Sequence, residues 1–460
     1  MRKFRGVSTS SATVGDSSTA TARNANLVVH DYSGHPFQVQ LSRELALLGH
    51  DVLHQFCSSY STGRGAVSRQ PGDPENFRVE PIPMRGAFAR YSPLKRVAQE
   101  IRYGLDLGAR MREERPDALV LCNVPLLAHL IVAAQLRVAR IPMLFWQQDV
   151  YSEAIGVHAR RVLGPRLGGV LARRADRVER WIARRSAHVV AIAEEFRPVL
   201  ARWGVRDGNI SVIPNWAALQ EIPLQPKDNE WARQHGLAGR PVILYAGTLG
   251  LKHNPAVFVD VARELANERP DARVVVLSEG KGRNWLEHAR SKHGLDNLVL
   301  MDFQPYADLP SVLAAADVLV SVLEPDASRY SVPSKVLNYL CAGRCVLGVM
   351  PSSNGAARTL LTSGAGIVVP PGEPSAVTGG VLQLLADPAR RAAMGRAGRR
   401  YAEVTFAIRP IALQFQALLR QISNLPGPAA EPAALPLPAG YASAAPSDVP
   451  ADRADSRRPA

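Results

Sequence analysis

Four cysteines in 460 residues are too few and too scattered for a disulfide-stapled or zinc-built protein. Cys57, Cys122, Cys341 and Cys345 form no Cys-x-x-Cys pair and accompany no closely spaced histidines, which argues against a structural zinc site. Cys341 and Cys345 sit in an apolar stretch and read as small core residues. A chain without a disulfide framework fits a reducing compartment. Aromatic residues make up only 6%, so platforms for stacking bases are scarce, and no nucleic-acid recognition motif is present. Long apolar runs are also missing. No stretch reaches the roughly 18 residues of a transmembrane helix. The basic start, Met1-Arg2-Lys3-Phe4-Arg5, leads into VSTSSATVGDSSTATA instead of an apolar core, so it is not read as a signal peptide. Acidic residues are outnumbered, 41 against 55 Lys and Arg, and the net charge of +14 is compatible with an anionic partner. Charge alone does not choose among nucleic acid, an anionic membrane and a phosphorylated substrate.

The chain is long enough, and at 46% hydrophobic apolar enough, for two cores. Residues 1–23 are Ser/Thr-rich and read as disordered, as does the Pro/Ala-rich tail 425–460. Between them strands and helices alternate. NLVVHDY, DVLHQFC, ALVLCNV, PMLFWQQ and HVVAIA read as strands, with a helix from Phe37 to Leu48 stopped by Gly49. From Pro241 a second series follows: PVILYAG, ARVVVLSEG, LVLMDF, VLVSVL, CVLGVM and GIVVPPG, with helices expected at Asn254–Ala266, Ser311–Ala316 and Ser334–Ala342. Such alternation predicts an α/β chain of two doubly wound, Rossmann-like parallel sheets facing a cleft. The pattern breaks near Ile213-Pro214-Asn215-Trp216, which divides the chain into units at 24–214 and 215–405.

Two loops carry candidate chemistry. In the first, Tyr245 to Asn254, a buried strand runs into Gly247, Thr248 and Gly250, then Lys252 and His253, then a helix. Glycines admit a close ligand, a helix start offers free N–H groups to a phosphate, and Lys252 and His253 can add charge to the same anion. An ordinary strand-to-helix turn would read the same way. In the second, Ser331-Val332-Pro333-Ser334-Lys335 opens a helix that Ser331 or Ser334 can cap. Lys335 in the first turn opposes the helix dipole unless an anion lies nearby. Two such loops in one unit point to a diphosphate.

At these residues the chain resembles the family-4 glycosyltransferases, enzymes of the GT-B fold. The resemblance rests on ISVIPNW, ILYAGTLGLKHN, SEGKG, LVLMDFQPY, DLPSVLAAADVLVSVL, SVPSKVLNYLCAGRCVLG and GAGIVVPPGEP. Nearer the start, GHPFQVQLSRELALLGHDV and WQQDVYSEAIG add to it, and the whole covers most of residues 26–424. It looks closest to enzymes that build bacterial exopolysaccharide and O-antigen repeat units. The resemblance implies retaining, metal-independent transfer from a nucleotide-diphosphate sugar, UDP-linked by expectation, with no cofactor. It also implies a final helix within 406–424 that crosses back to the first unit. Lys252 and Lys335 would stabilise the leaving diphosphate, with backbone N–H groups of Gly250 and Ser334. Gly247, Thr248, His253, Ser331 and Ser334 would line the phosphates, and Gln304 and Tyr306 would lie beside the base. Asp149 is the candidate that orients acceptor or sugar, although a helix-capping or turn aspartate reads the same. Gly34 and His35 would face the sugar or phosphate. Two features depart from the family: its usual Glu-x7-Glu pair is Tyr330 and Asn338, and its first phosphate-loop Arg is Thr248, with His253 near the usual Lys position. Asn338 can bond a ribose hydroxyl, without a carboxylate's strength.

Residues 85–115 hold eight Lys/Arg against four acids, and 158–185 nine Arg against two. Interleaved with Leu, Val and Trp181, they read as amphipathic helices on an anionic membrane, as a lipid-linked saccharide acceptor would require, or as solvated surface helices. The expectation is a cytoplasmic protein at the inner face of the plasma membrane that does not bind nucleic acid. Three rivals stay open: an epimerase on the same scaffold, a nucleic-acid binder, and an inactive nucleotide-sugar scaffold motivated by the missing Glu.

Overall fold

The computed structural model describes residues 24–59, 66–84, 86, 92–250, 252–423 and 425, so the expectations for 1–23 and for the tail beyond 425 lie outside the described residues. Seven strands form the first sheet: β1 (Asn26–Asp31), β2 (Asp51–Cys57), β3 (Phe77–Ile82), β4 (Ala118–Cys122), β5 (Met143–Gln147), β6 (His188–Ala191) and β7 (Ile210–Val212). The helices α1 (Pro36–Leu47), α2 (Pro93–Glu114), α3 (Leu126–Ala139), α4 (Tyr151–Arg185) and α5 (Arg197–Arg202) accompany them. All pairings are parallel, in the order β3-β2-β1-β4-β5-β6-β7.

After α6 (Glu230–Gln234), the second sheet comprises β8 (Val242–Ala246), β9 (Arg273–Leu277), β10 (Leu298–Met301), β11 (Val318–Val322), β12 (Cys345–Val349) and β13 (Gly366–Val369). Its helices are α7 (Ala256–Glu268), α8 (Lys281–His293), α9 (Leu309–Ala314), α10 (Lys335–Cys341), α11 (Gly355–Ser363), α12 (Pro374–Ala386) and α13 (Pro388–Thr405), and α14 (Ile408–Ile422) closes the fold. The order is β10-β9-β8-β11-β12-β13, again parallel. Strands such as ALVLC and CVLGV are buried at every residue, because helices cover both faces of a parallel sheet.

All six strands expected in the second series are present. The first sheet has two more than expected, β3 and β7. β3 is an edge strand broken by Pro81 with three partly or fully exposed residues before it, and β7 has only three residues, so neither shows a buried apolar run. α7 starts two residues later than expected, at Ala256, whose N–H donates to the Asn254 side chain at 3.0 Å.

Two elements tie the sheets together. α14 buries Ile411, Ala412, Phe415, Leu418 and Leu419 on one face, and Phe415 meets Trp146 of β5 with ring centroids 4.9 Å apart. α4 is not one amphipathic rod. Gly164, at φ 77° and ψ 172°, and Pro165 break it into two antiparallel arms. The arms touch so closely that a Cβ on Gly168 would sit 2.5 Å from the carbonyl oxygen of Ala159. The hairpin tip exposes Val162, Leu163 and Leu167 beside Arg160, Arg161 and Arg166. No described helix is long and apolar enough to cross a membrane.

Candidate active site

A cavity of about 700 Å³ lies where the two sheets face each other. Its walls come from residues just past the carboxyl ends of strands: His35 after β1, Asn123 after β4, Asp149 after β5, Gly247 after β8, Glu279 after β9 and Leu323 after β11. Ligands of doubly wound sheets bind at this end, and the volume is that of a site for a small organic molecule. Of the residues expected from sequence, His35, Asp149, Gly247, Thr248, Lys252, His253, Gln304, Tyr306, Ser331, Ser334, Lys335 and Asn338 all line it. Gly34 and Gly250 do not.

The two lysines are positioned differently. Lys252 crosses the cleft: its Nζ donates to both oxygens of Asp149 and to Ser331 Oγ, each at 2.9 Å. Asp149 is therefore not a helix cap; Val150 holds that place, and its N–H donates to the Tyr330 carbonyl at 3.1 Å. Lys335 is half-buried with no carboxylate partner among the described residues, its ammonium on the Tyr245 hydroxyl and 3.7 Å from that ring's centroid. Burial pushes its pKa down to about 7. The Tyr245 hydroxyl donates in turn to the Thr248 carbonyl at 2.8 Å, so Lys335 and the first loop share one network. Gly247 adopts φ 143°, and a Cβ there would lie 3.1 Å from Lys335 Nζ. Only glycine fits that geometry without moving the lysine.

The structure corrects three expectations. Neither serine caps α10: Ser334 makes no side-chain capping bond, and Ser331's hydroxyl serves Lys252. His253 adds no charge, because burial first, and then Lys335 and Lys252, push its pKa far below the usual imidazole value. The Gly250 N–H is not open to phosphate, since it donates to His253 Nδ1 at 3.2 Å. Gln304 Oε1 accepts from Trp231 Nε1 at 3.3 Å and the Tyr306 hydroxyl donates to Glu221.

Two residues escaped the sequence reading. Asp31, buried at the end of β1, accepts from the N–H of His35 at 2.6 Å and of Ser33 at 3.3 Å, and from Asn123 Nδ2 at 2.8 Å. Burial raises its pKa against the pull of those donors. It thereby holds the turn at Gly34, which has φ 71°. Asn123 sits in the left-handed region at φ 54°. A polar residue ending a buried strand was the available signal for both; each was absorbed into its strand.

Two parallel sheets meeting at one cleft define a GT-B architecture. A family profile described as "Glycosyl transferase 4-like domain" matches residues 35–216, and one described as "Glycosyl transferases group 1" matches 227–401. The chain belongs to these glycosyltransferases. It is 30% identical over 198 residues to a GDP-mannose-dependent alpha-(1-6)-phosphatidylinositol monomannoside mannosyltransferase of Mycolicibacterium smegmatis, covering 40% of this chain and 52% of that one. It is 29% identical over 238 residues to a 2-deoxystreptamine glucosyltransferase of Streptomyces kanamyceticus, covering 50% and 59%. The chain thus spans about half the length of these curated relatives. In fold it is similar to Anabaena HepE in complex with UDP and glucose, with a TM-score of 0.64 and 17% identity, covering 86% of this chain and 99% of that one.

Proposed function

We propose that this glycosyltransferase moves a sugar, with retention and without a metal, from a nucleotide-diphosphate sugar to a lipid-linked saccharide in bacterial polysaccharide synthesis. The observation that carries the reading is the pair of lysines, Lys252 and Lys335, on two loops of one cleft, with Gly247 clearing space beside Lys335. When the bond from the sugar's anomeric carbon to the phosphate oxygen breaks, negative charge develops on the diphosphate. Fixed cations stabilise that charge in a site screened from water. The acceptor hydroxyl bonds to the anomeric carbon on the same face and passes its proton to the leaving phosphate. Asn338 takes a ribose hydroxyl, Gln304 and Tyr306 border the base, and residues 215–405 hold the donor. His35 and Asp149, from 24–214, face sugar and acceptor. Before donor binds, Asp149 keeps Lys252 paired, and the diphosphate takes its place. The mannosyltransferase relative supports a lipid acceptor, and HepE's bound UDP and glucose support a UDP-sugar donor. Arginines and exposed apolar side chains at the α4 tip support contact with the inner face of the plasma membrane.

Thermal unfolding with UDP, GDP, ADP and dTDP tests this reading. At 100 times its Kd a nucleotide adds about 2.7 kcal/mol. One nucleotide is expected to stabilise wild type and not Lys335→Ala. Stabilisation by none would overturn the reading.

A further inference from the structure

A second cavity, of about 650 Å³, opens between α2, the start of α3 and both arms of α4. Leu126, Ile155, Leu171 and Val178 give it largely apolar walls, and Arg96 and Arg174 add positive charge. Asn123, held by Asp31, lines this cavity and the donor cavity alike, so one residue borders both.

We propose that this cavity seats the acceptor's lipid: the apolar chain lies along α4, Arg174 and Arg96 meet its phosphate, and the attached sugar's hydroxyl enters the donor cavity past Asn123. The inference rests on the transferase reading and names where its acceptor binds. Two arginines against one carboxylate, Glu100, leave the lining net positive, which favours an anion. Arg96 is partly offset by Glu100 at 2.7 Å, whereas Arg174 has no acidic partner among the described residues. A cationic, polyhydroxylated acceptor would meet repulsion and an apolar wall. The surroundings continue the same chemistry. Leu94, Val97, Ile101 and Leu105 recur at helical spacing along α2 and are all exposed, as are Val162, Leu163 and Leu167 at the α4 tip.

Binding of dodecyl phosphate below its micelle concentration tests the site on the full-length protein, beside dodecyl maltoside and inorganic phosphate. Leu171 and Arg174 are both exposed, so their substitution spares the core. Leu171→Glu is expected to weaken both dodecyl probes about tenfold or more, and Arg174→Glu to weaken only dodecyl phosphate. Inorganic phosphate is expected to show no dependence on either residue. The stabilising nucleotide should bind both variants as it binds wild type, which reports an intact fold and donor site. Dodecyl phosphate bound equally by wild type and variants, or displaced by nucleotide, would overturn the assignment while leaving the transferase reading intact. Dodecyl phosphate binding that depends on Leu171, in a protein that binds no nucleotide, would overturn the acceptor role itself.

Discussion

In the proposed donor site, Lys335 would serve binding at the expense of the empty fold. Its folded pKa, about 7, lies below its ordinary 10.5 because burial disfavours the ammonium. Between those values the unfolded chain binds the extra proton, so this group makes stability rise with pH from about 7 to 10.5. A diphosphate beside it reverses the preference. Nucleotide binding at pH 8 is therefore expected to take up as much as about one proton per site, measured by calorimetry in buffers of different ionisation enthalpy. Binding with no uptake would place the diphosphate elsewhere. Lys335→Met is expected to stabilise the empty protein near neutral pH, abolish the nucleotide's thermal shift and slow transfer about 10²–10³-fold.

At the scale of the element, the α4 hairpin is fixed at its base by Glu179. This carboxylate, on the returning arm, accepts from the N–H of Tyr151 at 3.1 Å and of Ser152 at 2.7 Å, capping the start of the outgoing arm. Burial raises its pKa to about 7 despite these donors. Its folded value lies above 4.5, so the native state holds the proton more firmly, and its contribution to stability falls as pH rises from about 4.5 to 7. Glu179→Ala leaves two helix-start amides without their acceptor and is expected to cost about 1–3 kcal/mol in urea unfolding. Glu179→Gln should cost less and remove that pH slope. An Ala variant as stable as wild type would show that the hairpin is anchored elsewhere. The 3.6-residue pattern revealed basic helices here but not the hairpin, since Gly164 and Pro165 in an Arg-rich stretch do not show which way the chain turns.

Across the whole molecule, buried neutral histidines concentrate in the first-sheet half. Burial lowers His30, His54 and His129 to about 3, and His50 and His188 to about 4. Unfolded, each protonates near 6.5, so the unfolded chain binds more protons and stability falls as pH drops from about 6.5 toward 4. These five groups outweigh Glu179's opposite slope. Urea midpoints at pH 7, 6 and 5 are expected to fall steadily, with the first-sheet half losing hydrogen-exchange protection first. A midpoint unchanged over that range would refute this account.

Sequence alone specifies the two doubly wound sheets, the family and twelve of the residues that line the cleft. Buried strands, glycine-punctuated loops and helix starts are local patterns, written within about ten residues of chain. Edge strands β3 and β7 were less legible because edges need no continuous apolar run. Tertiary structure alone decided what those residues do to one another. Lys252 meets Asp149 across 103 positions, Lys335 loses its water to Tyr245 across 90, and Asn123 comes to border two cavities. Such pairings, and the pKa shifts that follow, depend on how the two sheets are brought face to face. Desolvation and Coulomb energy follow distance in space, and no spacing along the chain encodes that distance.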